Sequence, residues 1–237
     1  MNTKRYLFLL IGLMLGFIVS FIWTRDYNRK NAVAASPSGS QAAAGAPSGN
    51  NQQAMMGQIK QMLDRARQNP KDFDAQIAVA SAYDTIGRTK EAVEYLIKAM
   101  EINPKDEQAA GICGYIGNYY LQQKAYADAE KWFRKVSEIN PSIPDAYVEV
   151  AATYLERQPP NPDKAIEELQ RALSLDPKSG HALEHLTEAY ALKKDARGAD
   201  DAISRLKQTD PGNKKLAQLQ NMVSDLKAGK APSLPKE

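Results

Sequence analysis

The stretch that decides the fold is Y-D-T-I-G-R-T-K-E-A-V-E-Y-L-I-K-A-M-E-I-N-P, residues 83–104, because altered copies of it follow further along the chain. Residues 120–141 read Y-L-Q-Q-K-A-Y-A-D-A-E-K-W-F-R-K-V-S-E-I-N-P, and residues 190–211 keep the same length from tyrosine to proline. The copy at residues 154–177 is two residues longer. Self-similarity at a fixed period of this size indicates a repeat protein built from stacked copies of one small unit.

Each copy is defined by a few positions with fixed chemistry. The closing prolines recur at intervals of 34, 37, 36 and 34 residues, at Pro70, Pro104, Pro141, Pro177 and Pro211. The tyrosines that open the copies are Tyr83, Tyr120, Tyr154 and Tyr190, and the small residues between tyrosine and proline are Ala92, Ala129, Ala165 and Ala199. Four residues after each alanine stands a large apolar residue, at Leu96, Phe133, Leu169 and Ile203, followed three residues later by Ala99, Val136, Ala172 and Leu206.

This pattern resembles the tetratricopeptide repeat, a pair of antiparallel helices per 34 residues. The resemblance implies an all-α helical-hairpin solenoid with four repeats over residues 73–211. The small alanines allow two helices to cross closely, and proline takes the residue before it out of the helical region, so each repeat ends at an N-P or D-P pair. Three extra residues between Pro104 and Tyr120 predict a first helix of repeat two that starts early or carries an extra turn.

A helix is predicted at each end of the repeats. Residues 51–72 hold a leading helix, whose apolar face is Met55, Ile59, Met62, Leu63 and Ala66. Residues 212–228 hold a capping helix, whose apolar face is Leu216, Leu219, Val223 and Leu226. Asp106, Ser179 and Asn213 follow closing prolines and are suited to cap the next helix. We expect the tail at 229–237 to be disordered.

The amino-terminal segment predicts one membrane span. Residues 6–23 carry no charge, and as a helix they would extend about 27 Å, close to the thickness of a bilayer core. We therefore expect a signal anchor at 1–25 and a flexible Ala/Ser/Gly/Pro linker at 26–50. The alternative is a cleaved signal peptide with its site at 32–34, which is disfavoured because eight residues, three of them basic, separate that site from the apolar run.

The span also suggests a location and a contact. A short head before a large folded tail is typical of a bacterial signal anchor, so we expect the inner membrane with the carboxy-terminal domain outside the cytoplasm. The basic residues that flank the span give almost no preference for orientation. Gly12, Gly16 and Ser20 share one face of the helix, where small residues allow a homodimer to form.

Charge and cysteine content exclude some classes of function. Seven of the 31 basic residues and two of the 28 acidic residues lie outside residues 51–228, which leaves that region with 24 basic and 26 acidic residues. A nucleic-acid-binding domain would need a basic face, so we expect no nucleic-acid partner. Cys113 is the single cysteine, and we interpret it as a small buried apolar residue.

One local motif has the spacing of an enzyme site. His181-Ala182-Leu183-Glu184-His185 matches H-x-x-E-H, an inverted zinc-protease signature. Such proteases also need a distal acidic ligand and a large surrounding fold, and here the motif lies inside a repeat that already accounts for Leu183 as core. A zinc-dependent hydrolase at His181 and His185 is therefore a remote alternative. We expect no catalytic residue, no resident metal and no cofactor.

The resemblance implies a binding surface. In tetratricopeptide-repeat proteins the first helix of each repeat lines a concave groove that holds a peptide or a helix. The matching positions include seven carboxylates and no lysine or arginine: Asp74, Ile77, Ser81, Asp84, Tyr115, Asn118, Leu121, Gln122, Asp145, Val148, Glu149, Ala152, Glu156, His181, Glu184, His185 and Glu188. We take ten of them as candidate partner-binding residues: Asp74, Ile77, Tyr115, Asn118, Leu121, Asp145, Val148, Glu149, Glu184 and Glu188.

The same positions exclude one known class of ligand. A subclass of the family grips the terminal carboxylate of chaperones with lysine, asparagine and arginine, and the matching residues here are Ile77, Ser81, Asp145 and Glu149. The cations that this grip needs are absent, so we expect instead a protein or peptide ligand with an apolar part and a basic part.

Two readings of the pathway remain open. The order of span, linker, leading helix and repeats is common to membrane-anchored scaffolds of envelope protein assembly. It also resembles the tetratricopeptide-repeat subunits of bacterial cytochrome c maturation systems, which hold apocytochrome, although this second likeness is one of architecture alone.

Overall fold

The structure, a computed structural model, describes residues 49–231 of the chain. Over that range the chain forms ten α-helices and no strand. The helices are α1 (Gly49–Gln68), α2 (Phe73–Thr85), α3 (Thr89–Ile102), α4 (Ala109–Gln122), α5 (Tyr126–Ile139), α6 (Pro144–Glu156), α7 (Pro162–Leu175), α8 (Gly180–Leu192), α9 (Ala196–Thr209) and α10 (Leu216–Lys227).

Successive helices pack as hairpins, and successive hairpins stack. The pairs α2/α3, α4/α5, α6/α7 and α8/α9 form repeats one to four, the second helix of each repeat contacts the first helix of the next, and α10 lies against α8 and α9. The repeats belong to one compact unit that begins at Met55. The all-α solenoid of four repeats with a helix at each end is therefore confirmed.

The repeat positions carry the core, with some differences between copies. The four alanines at the helix crossings are at most 1% exposed. Phe133, Leu169 and Ile203 are buried beside them, whereas Leu96 of repeat one is half-buried. Of the four tyrosines, Tyr154 alone is fully buried, and the other three are half-buried. The core is therefore most complete in repeats two to four.

The turn inside each hairpin begins at the repeat tyrosine. The carbonyl of Tyr120 accepts a hydrogen bond from the Ala125 N–H at 2.9 Å, and Tyr83 and Tyr190 accept from the residue at the same spacing. Lys124 adopts a φ of 57° in this turn, in the left-handed region that closes a helix. In repeat three the two inserted residues lengthen the turn, and the Tyr154 carbonyl accepts from Asn161 instead.

The connections between repeats follow the prolines. Each second helix ends at the residue before an Asn-Pro or Asp-Pro pair, and the residue preceding the proline takes ψ values of 75–93°. The Ser179 hydroxyl caps α8 by accepting from the Ala182 N–H. Asp106 and Asn213 differ from the prediction, because each accepts from the N–H two residues on, inside the turn that precedes the helix.

The three-residue insertion of repeat two lies mostly outside its helix. Relative to the repeat tyrosine, α4 begins one residue earlier than the first helices of the other repeats. The two remaining residues lengthen the turn after Pro104. The insertion therefore adds no helical turn, and the spacing from tyrosine to alanine is unchanged.

A close contact between glycine and aromatic ring fixes the helix crossing in repeat two. A Cβ placed on Gly117 would lie 2.6 Å from Cε1 of Phe133. Three residues before the tyrosine, the other repeats have Ala80, Ala151 and Thr187. At the position of Phe133 those repeats have leucine or isoleucine. Because Gly117 has no side chain, it leaves the space that the larger Phe133 ring requires.

A charged cluster joins repeats two and three on their second helices. The Arg134 guanidinium donates to Glu130 at 3.0 Å, to the Tyr154 hydroxyl at 2.8 Å and to Glu168 at 3.1 Å. Tyr154 in turn donates to Glu130 at 2.5 Å. Burial raises the pKa of Glu130, but the hydrogen bonds from Tyr154 and Arg134 outweigh it and hold that pKa below its usual value. Glu168 is 5% exposed, so Arg134 compensates a buried charge.

Several predictions from the amino terminus fall outside the described residues. These are the span at 6–23, the dimer face at Gly12, Gly16 and Ser20, and most of the linker. Between residues 49 and 231 no helix is long and apolar enough to cross a membrane. The leading helix begins at Gly49, so the last two residues assigned to the linker are helical.

The apolar faces of the two end helices need small corrections. On the leading helix Ile59 and Ala66 are buried, whereas Met62 is 38% exposed and does not belong to the face. On α10 the predicted face is joined by Met222, which is 1% exposed. Both helices cover the apolar ends of the stack, as expected of terminal elements in a repeat protein.

Candidate functional site

The surface considered for binding is the first-helix face, formed by the side chains of α2, α4, α6 and α8 that are not buried in the core. Neighbouring first helices are tied together along it. The Tyr115 hydroxyl on α4 donates to Asp84 on α2 at 2.5 Å. Helices α6 and α8 contact each other directly, and α10 contacts α8. The face is therefore continuous over repeats three and four and the capping helix.

The amino-terminal half of the first-helix face is less apolar than the sequence predicts. Ile77 is 7% exposed and therefore contributes little surface. Leu121 is half-buried and packs against the main core, and Asn118 is also half-buried. Asp74 is exposed at the start of α2. The accessible apolar surface here comes mainly from Leu121 and the Tyr115 ring.

Val148 does not lie on the first-helix face. Its exposure is 0%, and it packs in the main core with the apolar residues of α6 and α8. Helix α6 is buried around most of its circumference, because neighbouring repeats cover it on two sides. Ile77 holds the same position on α2, six residues before the repeat tyrosine, and is also buried, so this repeat position belongs to the core.

Two carboxylates of α6 lie in the middle of the first-helix face that the sequence predicts to be acidic. Asp145 and Glu149 are four residues apart, so they share a side of the helix. Both are half-buried. Burial raises the pKa of Asp145, and the nearby charge of Asp176 raises it further. The ionised form of Asp145 is thus disfavoured by its surroundings and would be stabilised by a cation.

The acids of α8 have partners within the chain. Glu184 accepts from the Asn213 amide at 2.5 Å, and the Lys215 ammonium lies 3.4 Å from its other oxygen. Both partners come from the segment that leads into α10, which sequence positions on the first helices alone could not reveal. The carboxy-terminal end of the first-helix face is therefore less negative than predicted.

Three side chains of α8, those of Glu188, His185 and His181, form a hydrogen-bonded chain. Nδ1 of His185 lies 2.9 Å from Oε2 of Glu188, and Nε2 of His185 lies 3.2 Å from Nε2 of His181. Burial lowers the pKa of His185, but Glu188 outweighs it and the pKa is raised overall, with a further contribution from Glu149. Burial likewise raises the pKa of Glu188, but His185 outweighs it and the pKa is lowered overall.

Two of the candidate residues, Glu149 and Glu188, act on the same side chain, His185. The influence of Glu149 on His185 connects α6 with α8, and Glu188 is on the same helix as His185. Asp74 and Asn118 lie further toward the amino-terminal end. Among residues 49–231 no group of three or more His, Cys, Asp or Glu side chains is placed to hold a metal ion.

The comparisons with known proteins concern the family and the fold. Family models described as tetratricopeptide repeat match residues 52–111 and 110–143. No curated protein matches the chain. Matches to solved structures at 17–21% identity show the fold alone.

Three of these solved structures are similar to this chain over more than two thirds of its length. MamA from Desulfovibrio magneticus is 21% identical with a TM-score of 0.54, and the match covers 69% of this chain and 89% of MamA. YrrB, described as a tetratricopeptide-repeat protein with an unusual peptide-binding site, is 18% identical with a TM-score of 0.52, covering 72% of this chain and 94% of YrrB. PilF from Pseudomonas aeruginosa is 17% identical with a TM-score of 0.54, covering 74% of this chain and 79% of PilF.

The matched segments contain the leading helix and repeats one and two, and the structure adds two more hairpins of the same construction with the same tyrosine, alanine and proline positions. The repeats of this chain are therefore of the tetratricopeptide type, with family models matching residues 52–143.

Proposed function

We propose that this protein is a non-catalytic scaffold that holds a protein or peptide segment on its first-helix face. The observation that carries the proposal is the half-buried pair of acids on α6, Asp145 and Glu149, beside the acids of α8. Burial and the nearby Asp176 disfavour the carboxylate of Asp145, which favours a ligand that brings positive charge.

The raised pKa of Asp145 gives the proposal its physical basis. Burial and the charge of Asp176 both disfavour the carboxylate. A lysine or arginine of a ligand placed beside Asp145 would relieve this cost, so part of the binding free energy would come from the free protein's own unfavourable electrostatics. Glu184 contributes less, because Lys215 already lies beside it.

The apolar part of the ligand would lie toward α4. Leu121 and Tyr115 are half-buried there and leave apolar surface on the first helix of repeat two. A segment that combines apolar and basic side chains, as a short helix or an extended peptide, fits both regions. Family members typically act as interaction scaffolds, and YrrB is described as having a peptide-binding site, which supports a peptide ligand in this fold.

A charge-reversal variant tests the ligand chemistry. Asp145→Lys with Glu149→Lys should weaken binding of a fluorescent amphipathic peptide of leucine and lysine by about tenfold, because several pairs of about 0.2–1 kcal/mol each are lost or reversed. The measurement is fluorescence anisotropy at low and at physiological salt, and wild-type binding should weaken as salt screens the charges.

The matched control places the same change of charge elsewhere. Glu101→Lys with Glu138→Lys alters two exposed acids on the second helices α3 and α5, and its binding should equal that of wild type. A peptide of leucine and glutamate should bind neither wild type nor this control variant. Equal weakening in both variants would show that net charge, not the first-helix face, governs binding.

We also propose a membrane location for the scaffold. Residues 6–23 would anchor it in the inner membrane, and the repeats would lie outside the cytoplasm at the end of the linker. The uncharged span and the small-residue linker support the anchor, and the short head before a large folded tail supports the orientation. The Gly12, Gly16 and Ser20 face would allow two copies to associate.

The pathway that we favour is assembly of envelope proteins. A tethered scaffold with an acidic and apolar binding face suits a role in holding a partner segment near the membrane. Holding apocytochrome during cytochrome c maturation is the alternative, supported by the similar order of span, linker and repeats. A zinc-dependent hydrolase stays a remote alternative, because H-x-x-E-H lies within one repeat helix and lacks a third ligand among residues 49–231.

A further inference from the structure

The two histidines of the chain are within hydrogen-bond distance of each other on α8. His181 and His185 are one helical turn apart, and their Nε2 atoms are separated by 3.2 Å. The rings are tilted by 52° with centroids 4.9 Å apart, so the two Nε2 atoms lie on the edges by which the rings approach each other. His181 is exposed, whereas the His185 side chain is 14% exposed.

Glu188 sets the tautomer of His185. An ionised carboxylate can only accept, so Nδ1 of His185 donates the hydrogen bond of 2.9 Å to Glu188. The Nε2 atom of neutral His185 then carries its lone pair toward His181. A carboxylate that holds the far nitrogen of an imidazole is the usual outer partner of a metal-binding histidine, because it fixes the ring and raises its basicity.

The distance between the two Nε2 atoms can be compared with the spacing of two histidine ligands on a metal ion. Two imidazole nitrogens bound to tetrahedral zinc at about 2.0–2.1 Å lie about 3.3 Å apart. Two cis ligands of a square-planar or octahedral ion would lie about 2.9 Å apart. The observed separation therefore matches tetrahedral zinc without a change of rotamer.

We propose that His181 and His185 bind a Zn²⁺ ion through their Nε2 atoms, with Glu188 positioning His185. The sequence alone favours no metal here, because a zinc protease with this signature needs a distal acidic ligand and a large surrounding fold. A two-histidine site needs no third residue from this chain. Its remaining coordination positions face the exposed side of His181 and are filled by water or by a side chain of a bound partner.

Zinc titration of the full chain by isothermal titration calorimetry tests the site. Wild type should bind one Zn²⁺ ion per chain in a saturable transition. His181→Gln should weaken binding by at least tenfold, since one of two protein ligands is lost. Glu188→Gln should weaken it by about 10–100-fold, the usual cost of losing the outer partner of a ligating histidine. Glu101→Gln, which removes an exposed carboxylate on α3, should leave the affinity unchanged.

The imidazole signals give a second measurement. With two histidines in the chain, their NMR resonances can be assigned from His181→Gln alone, and zinc should shift both rings. His181 is exposed, so His181→Gln should keep the helical circular dichroism of wild type. A loss of zinc binding in this variant would then not be due to a loss of fold. Absence of saturable binding in wild type, or wild-type affinity in His181→Gln, would overturn the proposal and leave the pair as a hydrogen bond only.

Discussion

Gly117→Ala should lower the free energy of unfolding by about 3 kcal/mol, the upper end of the usual cost of overpacking a core. The added Cβ would lie 2.6 Å from Cε1 and 2.7 Å from Cδ1 of Phe133. Phe133 is 1% exposed, so its ring has no free space into which to move. Chemical denaturation followed by circular dichroism measures the effect.

Gly114→Ala on the same helix is the matched control. Nothing lies within 4 Å of a Cβ at Gly114, so this change should stabilise the protein by about 0.5–1 kcal/mol through the helix preference of alanine. Phe133→Leu should then restore most of the stability of Gly117→Ala, because repeats one and three pair leucine with alanine at these positions. Equal effects of the two glycine replacements would contradict the close approach of α4 and α5.

Arg134→Ala should cost about 3 kcal/mol, the lower end of the range of about 3–5 kcal/mol for removing one partner of a buried ion pair. The change leaves Glu168, which is 5% exposed, without its contact at 3.1 Å. The lower end applies because Arg134 is itself 38% exposed, and because Arg171 stays 3.5 Å from the other Glu168 oxygen.

Arg171→Ala removes an arginine of similar exposure from the same region and is the control. Its main partner is the exposed Glu167, so its loss should cost less than about 1 kcal/mol. Glu168→Gln in the Arg134→Ala background should recover part of the stability, since it removes the uncompensated charge. If Arg134→Ala and Arg171→Ala have the same stability, the cluster does not join repeats two and three as described.

The repeat spacing predicts the fold well because each repeat position depends on neighbours within about one helical hairpin. The alanine at the crossing, the tyrosine at the turn and the proline at the end act over short distances along the chain. The sequence therefore predicts the number of helices between residues 49 and 231 and their pairing into hairpins. It misses the pairing of Gly117 with Phe133, since the consensus position accepts several residues and the choice is made by the size of the facing ring.

The candidate site is predicted less completely, because its charges are compensated by residues one repeat away. Glu184 meets Asn213 and Lys215 from the segment before α10, and Arg134 meets Glu168 on the next second helix. Val148 shows a second cause: it shares with Ile77 a repeat position that is buried in the core in both repeats. Neither effect can be seen in the spacing of one helix.

Site-specific photo-crosslinking in cells of the native host tests most directly whether the first-helix face holds the partner. A photoreactive amino acid replaces Asn118 or His181 on that face, or Glu101 or Glu138 on the second helices. The account predicts one discrete protein adduct from the first two positions and none from the other two, with loss of the adduct when Asp145→Lys and Glu149→Lys are also present. Adducts from Glu101 and Glu138 but none from Asn118 and His181 would contradict it.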